Sequence, residues 1–348
     1  MNTLIRLDEI QAAQRRIAGV AVRTGLHRVS PERLRGAGVK TLPFELFIKA
    51  ESEQPIGSFK LRGAYNRIAQ LSAEELGRGV ITYSSGNHAQ GVAYAARALG
   101  AKAVIVMPDN APEVKIEATR VLGAEVVFVG PASSARKAKA EALAEEHGYT
   151  VIPPYDDPAI IAGQGTCGLE ILEQLGVVAA GDTVGGVVIL SPVSGGGLLS
   201  GISTAVKLAM PEGAEVQVWG AEPELAADAK ESFDTKTLVE WPAAKTTRTI
   251  SDGLRTQSLG GSNFEHILRF VDGIVTVSED EILAAMRIML EATGLVAEPS
   301  GAVTLAAAIF HHAELPRCAR MVAVLSGGNI EPELRKQLDA GAAANASA

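Results

Sequence analysis

Four short segments carry residue types whose spacing points to chemistry. The first is Pro55-Ile56-Gly57-Ser58-Phe59-Lys60-Leu61-Arg62-Gly63. Ser58 is a helix-capping residue type, which puts Lys60 in the first turn of the helix it opens. The positive end of a helix disfavours a further cation, so an amine there is held more in its neutral form, ready to attack an aldehyde. The second is Ser84-Ser85-Gly86-Asn87-His88-Ala89-Gln90-Gly91 at an expected strand-to-helix turn, where converging backbone N–H groups can hold a carboxylate. The third, Ser194-Gly195-Gly196-Gly197-Leu198, follows an apolar strand and opens a helix, and its bare amides suit a phosphate. It has neither the Gly-Lys-Ser of an ATP-binding loop nor the dinucleotide fingerprint spacing. The fourth, Leu325-Ser326-Gly327-Gly328-Asn329, leaves a hydroxyl at the carboxyl edge of a sheet, where it can face a ring nitrogen. Each segment alone has a plainer reading, a solvated lysine or a tight turn.

The elements that must position these segments follow from period and punctuation. Short β-branched runs bounded by Gly or Pro alternate with Ala/Leu/Glu/Lys-rich stretches, the signature of strand-helix-strand units on parallel sheets. Strands are expected over 80–83, 103–107, 125–129 and 150–152, with helices over 87–99, 112–122 and 133–147. A second set has strands over 186–190, 215–221, 274–277 and 321–325, with helices over 198–210, 279–293 and 301–311. An early strand over 46–50 is assigned to the larger sheet. The expected fold is therefore α/β, with two open, mostly parallel twisted sheets flanked by helices and the smaller domain inserted into the larger. Residues 1–72 and 159–330 form the large domain, 80–157 the small one, and 331–348 a tail whose end, 341–348, frays. Residues 231–261 read as a long loop over the site.

Composition narrows the function. The chain has 348 residues and a formal net charge of −8, which argues against a phosphate-neutralising nucleic-acid surface. Cys167 and Cys318 are isolated, and the N-terminal residues carry no signal or transit pattern, so a reduced, cytoplasmic chain is expected. The longest apolar stretches fall well short of the ~20 residues that span a bilayer.

Taken in order, Gly57-Ser58-Phe59-Lys60, Ser84-Ser85-Gly86-Asn87-His88, the glycine loop, Ser251-Asp252-Gly253, Glu298-Pro299 and Ser326-Gly327-Gly328-Asn329 resemble the fold type II pyridoxal-phosphate enzymes. Within them the chain resembles the serine/threonine dehydratase and serine racemase branch, which includes 3-hydroxyaspartate dehydratases, over about residues 5 to 330. The resemblance implies that Lys60 carries the cofactor as a Schiff base, with Phe59 and Gly253 packed near it. It further implies that Asn87 bonds the phenolic oxygen, Ser326 meets the ring nitrogen and Glu298 joins the cofactor site. Ser194, Gly195, Gly196, Gly197 and Leu198 would hold the phosphate, Ser194 standing where the family often has a glycine. Ser84, Ser85, Gly86, Asn87 and His88 would take the substrate carboxylate, with Ser85 on the opposite ring face to Lys60. Arg136, Arg255 and Thr256 would line the substrate side, a basic lining that suits a second carboxylate. Glu222, Asp228 and the Ala226 carbonyl match the branch's divalent-cation site, whose oxygen donors suit Mg2+, or Ca2+ or Mn2+. A homodimer is usual in the family.

The expected reaction is elimination of water and then ammonia from a small β-hydroxy amino acid, with Lys60 as general base. Threonine or serine is the first choice of substrate and 3-hydroxyaspartate the second. The alternative is a serine- or aspartate-type racemase in which Ser85 returns the proton. The β-replacement relatives have threonine-rich loops where this chain has Ser84-Ser85 and Ser194-Gly195. A non-enzymatic phosphate-ligand binder would form no adduct on Lys60. So little chain follows Asn329 that no appended regulatory domain, and no feedback inhibition, is expected.

Overall fold

The β-branched runs and the stretches between them build ten strands among the described residues: β1 (Leu26–Arg28), β2 (Glu45–Ala50), β3 (Val80–Tyr83), β4 (Ala103–Pro108), β5 (Glu125–Val129), β6 (Thr150–Val151), β7 (Val187–Pro192), β8 (Val216–Pro223), β9 (Gly273–Val277) and β10 (Arg320–Leu325). A computed structural model describes residues 4–346 apart from positions 85, 110, 112, 131, 132, 178 and 179. The strands pair as a larger sheet in the order β1-β2-β10-β7-β8-β9 and a smaller one in the order β5-β4-β3-β6. All neighbours are parallel except β1, which runs antiparallel to β2. β4 and β7 are buried along their whole length, as expected of parallel strands covered on both faces. The smaller sheet is inserted between β2 and β7 of the larger one. Among the described residues no helix is long and apolar enough to cross a membrane.

Three helices meet where the candidate lysine must be held. They are Lys60–Ile68, Pro158–Leu175 and Gly197–Ala209. They approach backbone to backbone through glycines: a Cβ on Gly163 would lie 2.6 Å from the Gly63 Cα, and one on Gly201 would lie 2.5 Å from the Gly165 N. Real Cβ atoms do not come that close, so a larger residue would push the lysine helix away from the helix that opens at the glycine loop.

Helix Pro158–Leu175 does not emerge from hydrophobic period, because it is buried nearly all round and shows no polar face. Its ends are nevertheless marked. Asp157 caps it, accepting from the Ala159 and Ile160 N–H groups, Pro158 takes the first position, and Gly176 closes it in a left-handed conformation. Helix Leu7–Ile17 is likewise unanticipated and lays Ile10 and Ala13 in a cluster with Ile161, Ala162 and Leu169.

Three expectations need correction. Ser58 does not cap the lysine helix: that helix begins at Lys60 with Phe59 before it, and the Ser58 Oγ is buried without a partner among the described residues. Tertiary pairing overrides the cap, since Ser58 forms an isolated antiparallel bridge with Gly327. Residues 231–261 are not one irregular loop. Helices Asp228–Thr235 and Ala243–Thr246 and a 3-10 turn Asp252–Leu254 occupy parts of it. Side-chain bonds organise the rest, with the Val239 N–H donating to Ser232 Oγ at 3.0 Å and Trp241 Nε1 to Glu231 at 2.6 Å. Finally, the expected tail is helical over Pro332–Ala346. Leu338 is buried in the main core and Leu334 packs against it, an i,i+4 apolar pair that short tail segments normally lack.

Candidate active site

The site forms at the carboxyl ends of the strands, where parallel α/β sheets present their loops. The segment after β2 and the one after β10 zip together: the Phe59 N–H donates to the Ser326 carbonyl at 3.0 Å and the Gly328 N–H to the Gly57 carbonyl at 2.9 Å. Gly57 has φ 70°, and a Cβ there would sit 2.4 Å from Asn329 Oδ1, so glycine is required twice over. This pairing places Lys60 beside Ser326.

Lys60 is partly exposed, and its Nζ donates to the Pro154 carbonyl at 2.9 Å and lies 5.1 Å from the Phe59 ring centre. Burial of the amine lowers its pKa from 10.5 to about 8, against the opposing pull of Glu298. Desolvation is the largest cause. Glu298 is buried beside it and shifts the other way, to about 8, because burial and Asp252 favour the neutral acid over the stabilising effects of Asn87, Lys115 and Lys60. Both groups, which act on each other electrostatically, are thus moved toward neutrality, the pattern of an acid–base site.

Asn87, the first residue of helix Asn87–Ala98, is held from both sides. Its Nδ2 donates to Glu298 Oε1 at 2.7 Å and its Oδ1 accepts from Asn329 Nδ2 at 2.7 Å. Gly86 precedes that helix with no side-chain cap, so its first backbone amides are available to an anion. His88 does not join them through its side chain. It is buried, its Nε2 donates to the Ile152 carbonyl at 3.0 Å, and burial, with Lys60 adding to it, depresses its pKa to about 3. Ser85 lies outside the described residues.

The glycine loop closes the other side. A Cβ on Gly195 would lie 2.4 Å from the Tyr155 ring, and Gly196 has φ 98° with a Cβ position 2.8 Å from Asn263 Cβ. Helix Gly197–Ala209 starts with no side-chain cap, presenting its first amides to whatever the loop encloses. Pro154 and Tyr155 therefore connect two parts of the site, one accepting from the lysine and the other packing on the loop; neither residue type carried a chemical signal in sequence. The Ser194 hydroxyl, where the family often has a glycine, shares a 2.6 Å hydrogen bond with Thr256. Gly253 is fixed by its N–H donating to Ser300 Oγ at 2.9 Å. Arg136 sits partly buried on helix Ser133–His147. Arg255 is held by its own loop, its Nε and Nη2 donating to the Thr249 carbonyl at 2.9 and 2.6 Å.

These parts fit a pyridoxal phosphate. An amine with its pKa near 8 suits imine formation, the uncapped glycine-lined helix start suits a phosphate, and the Asn87 amide is oriented before any ligand arrives.

Two residues after Lys60, Arg62 anchors the same helix in a fully buried ion cluster. Its guanidinium donates to both Glu51 oxygens at 2.8 Å and to Glu170 at 2.7 and 2.8 Å. Lys49 completes it with 2.7 Å to Glu170. Two cations and two carboxylates balance, which is the condition for burying charge.

At the end of β8, Glu222 accepts from the Ala229 and Lys230 N–H groups at 3.2 and 3.0 Å, while both carboxylate oxygens of buried Asp228 have no partner among the described residues. Burial raises both carboxyls above their usual range, with Asp228 adding to the effect on Glu222. The described residues hold no group of three or more His, Cys, Asp or Glu placed for a metal, so protein ligation here would rest on two carboxylates and a carbonyl. An orphaned, buried carboxylate still fits an oxygen-liganded cation.

The sequence matches the family model described as pyridoxal-phosphate dependent enzyme over residues 26–327. It is 38% identical over 287 residues to the L-threo-3-hydroxyaspartate ammonia-lyase of Saccharomyces cerevisiae, covering 82% of this chain and 83% of that protein. Among solved structures, a threonine deaminase of T.th. superposes with a TM-score of 0.83 at 44% identity, covering 94% of this chain and 99% of that one. Maize serine racemase does so with a TM-score of 0.86 at 32% identity, covering 99% and 100%. With the match running from before β2 to the glycines after β10, the chain belongs to the family of pyridoxal-phosphate dependent enzymes.

Proposed function

We propose that the protein is an ammonia-lyase that eliminates water from a small β-hydroxy amino acid, the released product then taking up water to give ammonia and a 2-oxo acid. The observation that carries this is the Lys60 amine, brought to a pKa of about 8 beside Glu298, with an uncapped helix start on each side of it. The relatives named for 3-hydroxyaspartate and threonine support it.

Lys60, Asn87, Ser326, Phe59, Gly253, Glu298 and the Ser194 to Leu198 loop would hold the cofactor, which when bound supplies an electron sink for charge developing at the substrate α-carbon. The amides of Ser84 to His88 bind the substrate carboxylate, His88 through its backbone alone. Lys60 Nζ, neutral in part at physiological pH, takes the α-proton as general base. A hydroxyl such as that of Ser326, unlike a carboxylate, does not hold a proton on a ring nitrogen, which favours prompt loss of the β-hydroxyl. Ser84, Arg136 and Thr256 form the specificity side. Threonine and serine come first, and 3-hydroxyaspartate follows, because Arg255 donates to the Thr249 carbonyl through two of its nitrogens. Racemisation through Ser85 is the second reading, favoured by the likeness to maize serine racemase.

The test is purified protein with pyridoxal phosphate and L-serine, D-serine, L-threonine or the 3-hydroxyaspartate isomers, following 2-oxo acid release and enantiomer ratio. Release from at least one of them is expected. No release from any, with no change in enantiomer ratio, sinks both readings.

We further assign Mg2+, or Ca2+ or Mn2+, to Glu222, Asp228 and the Ala226 carbonyl, a homodimer as the working state, and a reducing, cytoplasmic setting that suits the free Cys167 and Cys318. Saturating Mg2+ after chelation should raise the melting temperature by about 4 °C, as expected for a ligand at about 100 times its Kd. Asp228→Asn should abolish that response, and an equal response in the variant rules the site out. Light scattering reads the oligomer.

A further inference from the structure

Lys115 lies on helix Glu113–Val121, an element of the smaller-sheet unit whose Ile116 packs into the core beside β4. Its ammonium nevertheless reaches across to the larger-sheet side, 2.6 Å from Asp252 and 3.1 Å from Glu331. Its side chain is 17% exposed, against 42% and 46% for the two acids, so the lysine is the enclosed member of the cluster. Burial alone would lower its pKa, but the two carboxylates outweigh that and hold it charged.

Both acids sit next to loops of the site. Asp252 adjoins Gly253, whose N–H is fixed on Ser300. Glu331 follows Asn329 by two residues, and Asn329 Nδ2 donates to Asn87 at 2.7 Å and to the Ile56 carbonyl at 2.9 Å. A single cation from one unit thus ties down two loops of the other, one carrying Gly253 and one carrying Asn329, the partner of Asn87.

We propose that Lys115 is a positioning residue, an ionic latch that holds helix Glu113–Val121 against Asp252 and Glu331 and so fixes the Gly253 and Asn329 loops around the cofactor. The inference rests on the assignment of those loops to the cofactor side. Charge is what the latch needs: arginine serves in place of lysine, neutral residues do not, and salt weakens it by screening the exposed carboxylates.

The test compares Lys115→Ala, Lys115→Arg and the double variant Asp252→Asn with Glu331→Gln, all as full-length protein with and without pyridoxal phosphate. Hydrogen exchange in residues 113–121 should rise about fivefold to tenfold in Lys115→Ala and in the double variant, with Lys115→Arg near wild type. In the holoenzyme, kcat/KM should fall about tenfold in the same two variants. Raising NaCl from about 0.05 to about 0.5 M should lower wild-type kcat/KM and leave Lys115→Ala unchanged. A purely structural lysine would not produce that lost salt response. Unchanged exchange in Lys115→Ala, or a Lys115→Arg that behaves like Lys115→Ala, overturns the latch. Because exchange in cofactor-free protein needs no substrate, its failure is distinct from failure to turn over hydroxy amino acids.

Discussion

Lys60→Ala should lower 2-oxo acid release from the best β-hydroxy amino acid by at least about a thousandfold, since it removes both the proposed covalent anchor of the cofactor and the proposed general base. Borohydride reduction should then leave no cofactor bound to the chain. The same variant should fold, and its cofactor-free form should be more stable than wild type at pH 7. The sign follows from linkage. The folded-state pKa of about 8 lies below the ordinary 10.5, so between those values the unfolded chain binds more protons and wild-type stability rises with pH. Below about pH 8 the full penalty of burying the ammonium is present, and alanine removes it. The measurement is turnover together with urea midpoints at pH 7 and pH 10, the difference between the two proteins shrinking at the higher pH. Undiminished turnover in the variant would refute the role of Lys60.

Arg62→Leu should cost about 3–5 kcal/mol of stability at neutral pH, because it leaves the buried carboxylates of Glu51 and Glu170 with only Lys49 to balance them. Arg62→Lys keeps the charge but not the paired donation to both acids and should fall between. Burial on its own would raise the Glu51 pKa, and the charge and hydrogen bonds of Arg62, with the charge of Lys49, hold it below the ordinary value of 4.5 instead. A depressed carboxyl contributes stability above its unfolded pKa and loses it as pH falls, so wild type weakens in acid. That loss falls below about pH 4.5, whereas the variant's uncompensated carboxylate, pushed upward by burial, gains from protonation above it. The deficit of Arg62→Leu should therefore narrow between pH 7 and pH 4.5, and a urea-midpoint difference that stays constant or widens contradicts this account. Because Lys60 starts the helix that Arg62 anchors, a loss of cofactor affinity should accompany the loss of stability.

Much of the fold was legible because parallel strands buried on both faces leave a plain trace. β4 and β7 read as apolar runs closed by Pro or Gly, helix Ser133–His147 lies over its expected bounds, and those of helix Glu279–Thr293 are marked by the Ser278 capping box and Gly294. Helix Pro158–Leu175 left no such trace, since a helix buried all round has no polar stripe to mark its period, and only Asp157, Pro158 and Gly176 announced it. The expected loop over 231–261 failed for a related reason: short helices held by Ser232 and Glu231 depend on side-chain bonds to partners that period does not reveal.

For the proposed site, residue types alone pointed to the loops, because the backbone constraint is written in them: glycine at 57, 195 and 196, where a Cβ would meet Asn329, Tyr155 or Asn263. They also singled out Lys60 as the amine proposed to react. The direction each side chain faces, and what surrounds it, emerged from the packed fold alone. His88 turns inward to Ile152, Arg255 is spent on Thr249, Ser58 pairs with Gly327, and Tyr155 and Lys115 arrive from elsewhere in the chain. The physical reason is that hydrogen bonding and desolvation are set by neighbours distant in sequence, so the lowered pKa of Lys60 belongs to its burial beside Pro154 and Glu298 and not to the nine residues around it.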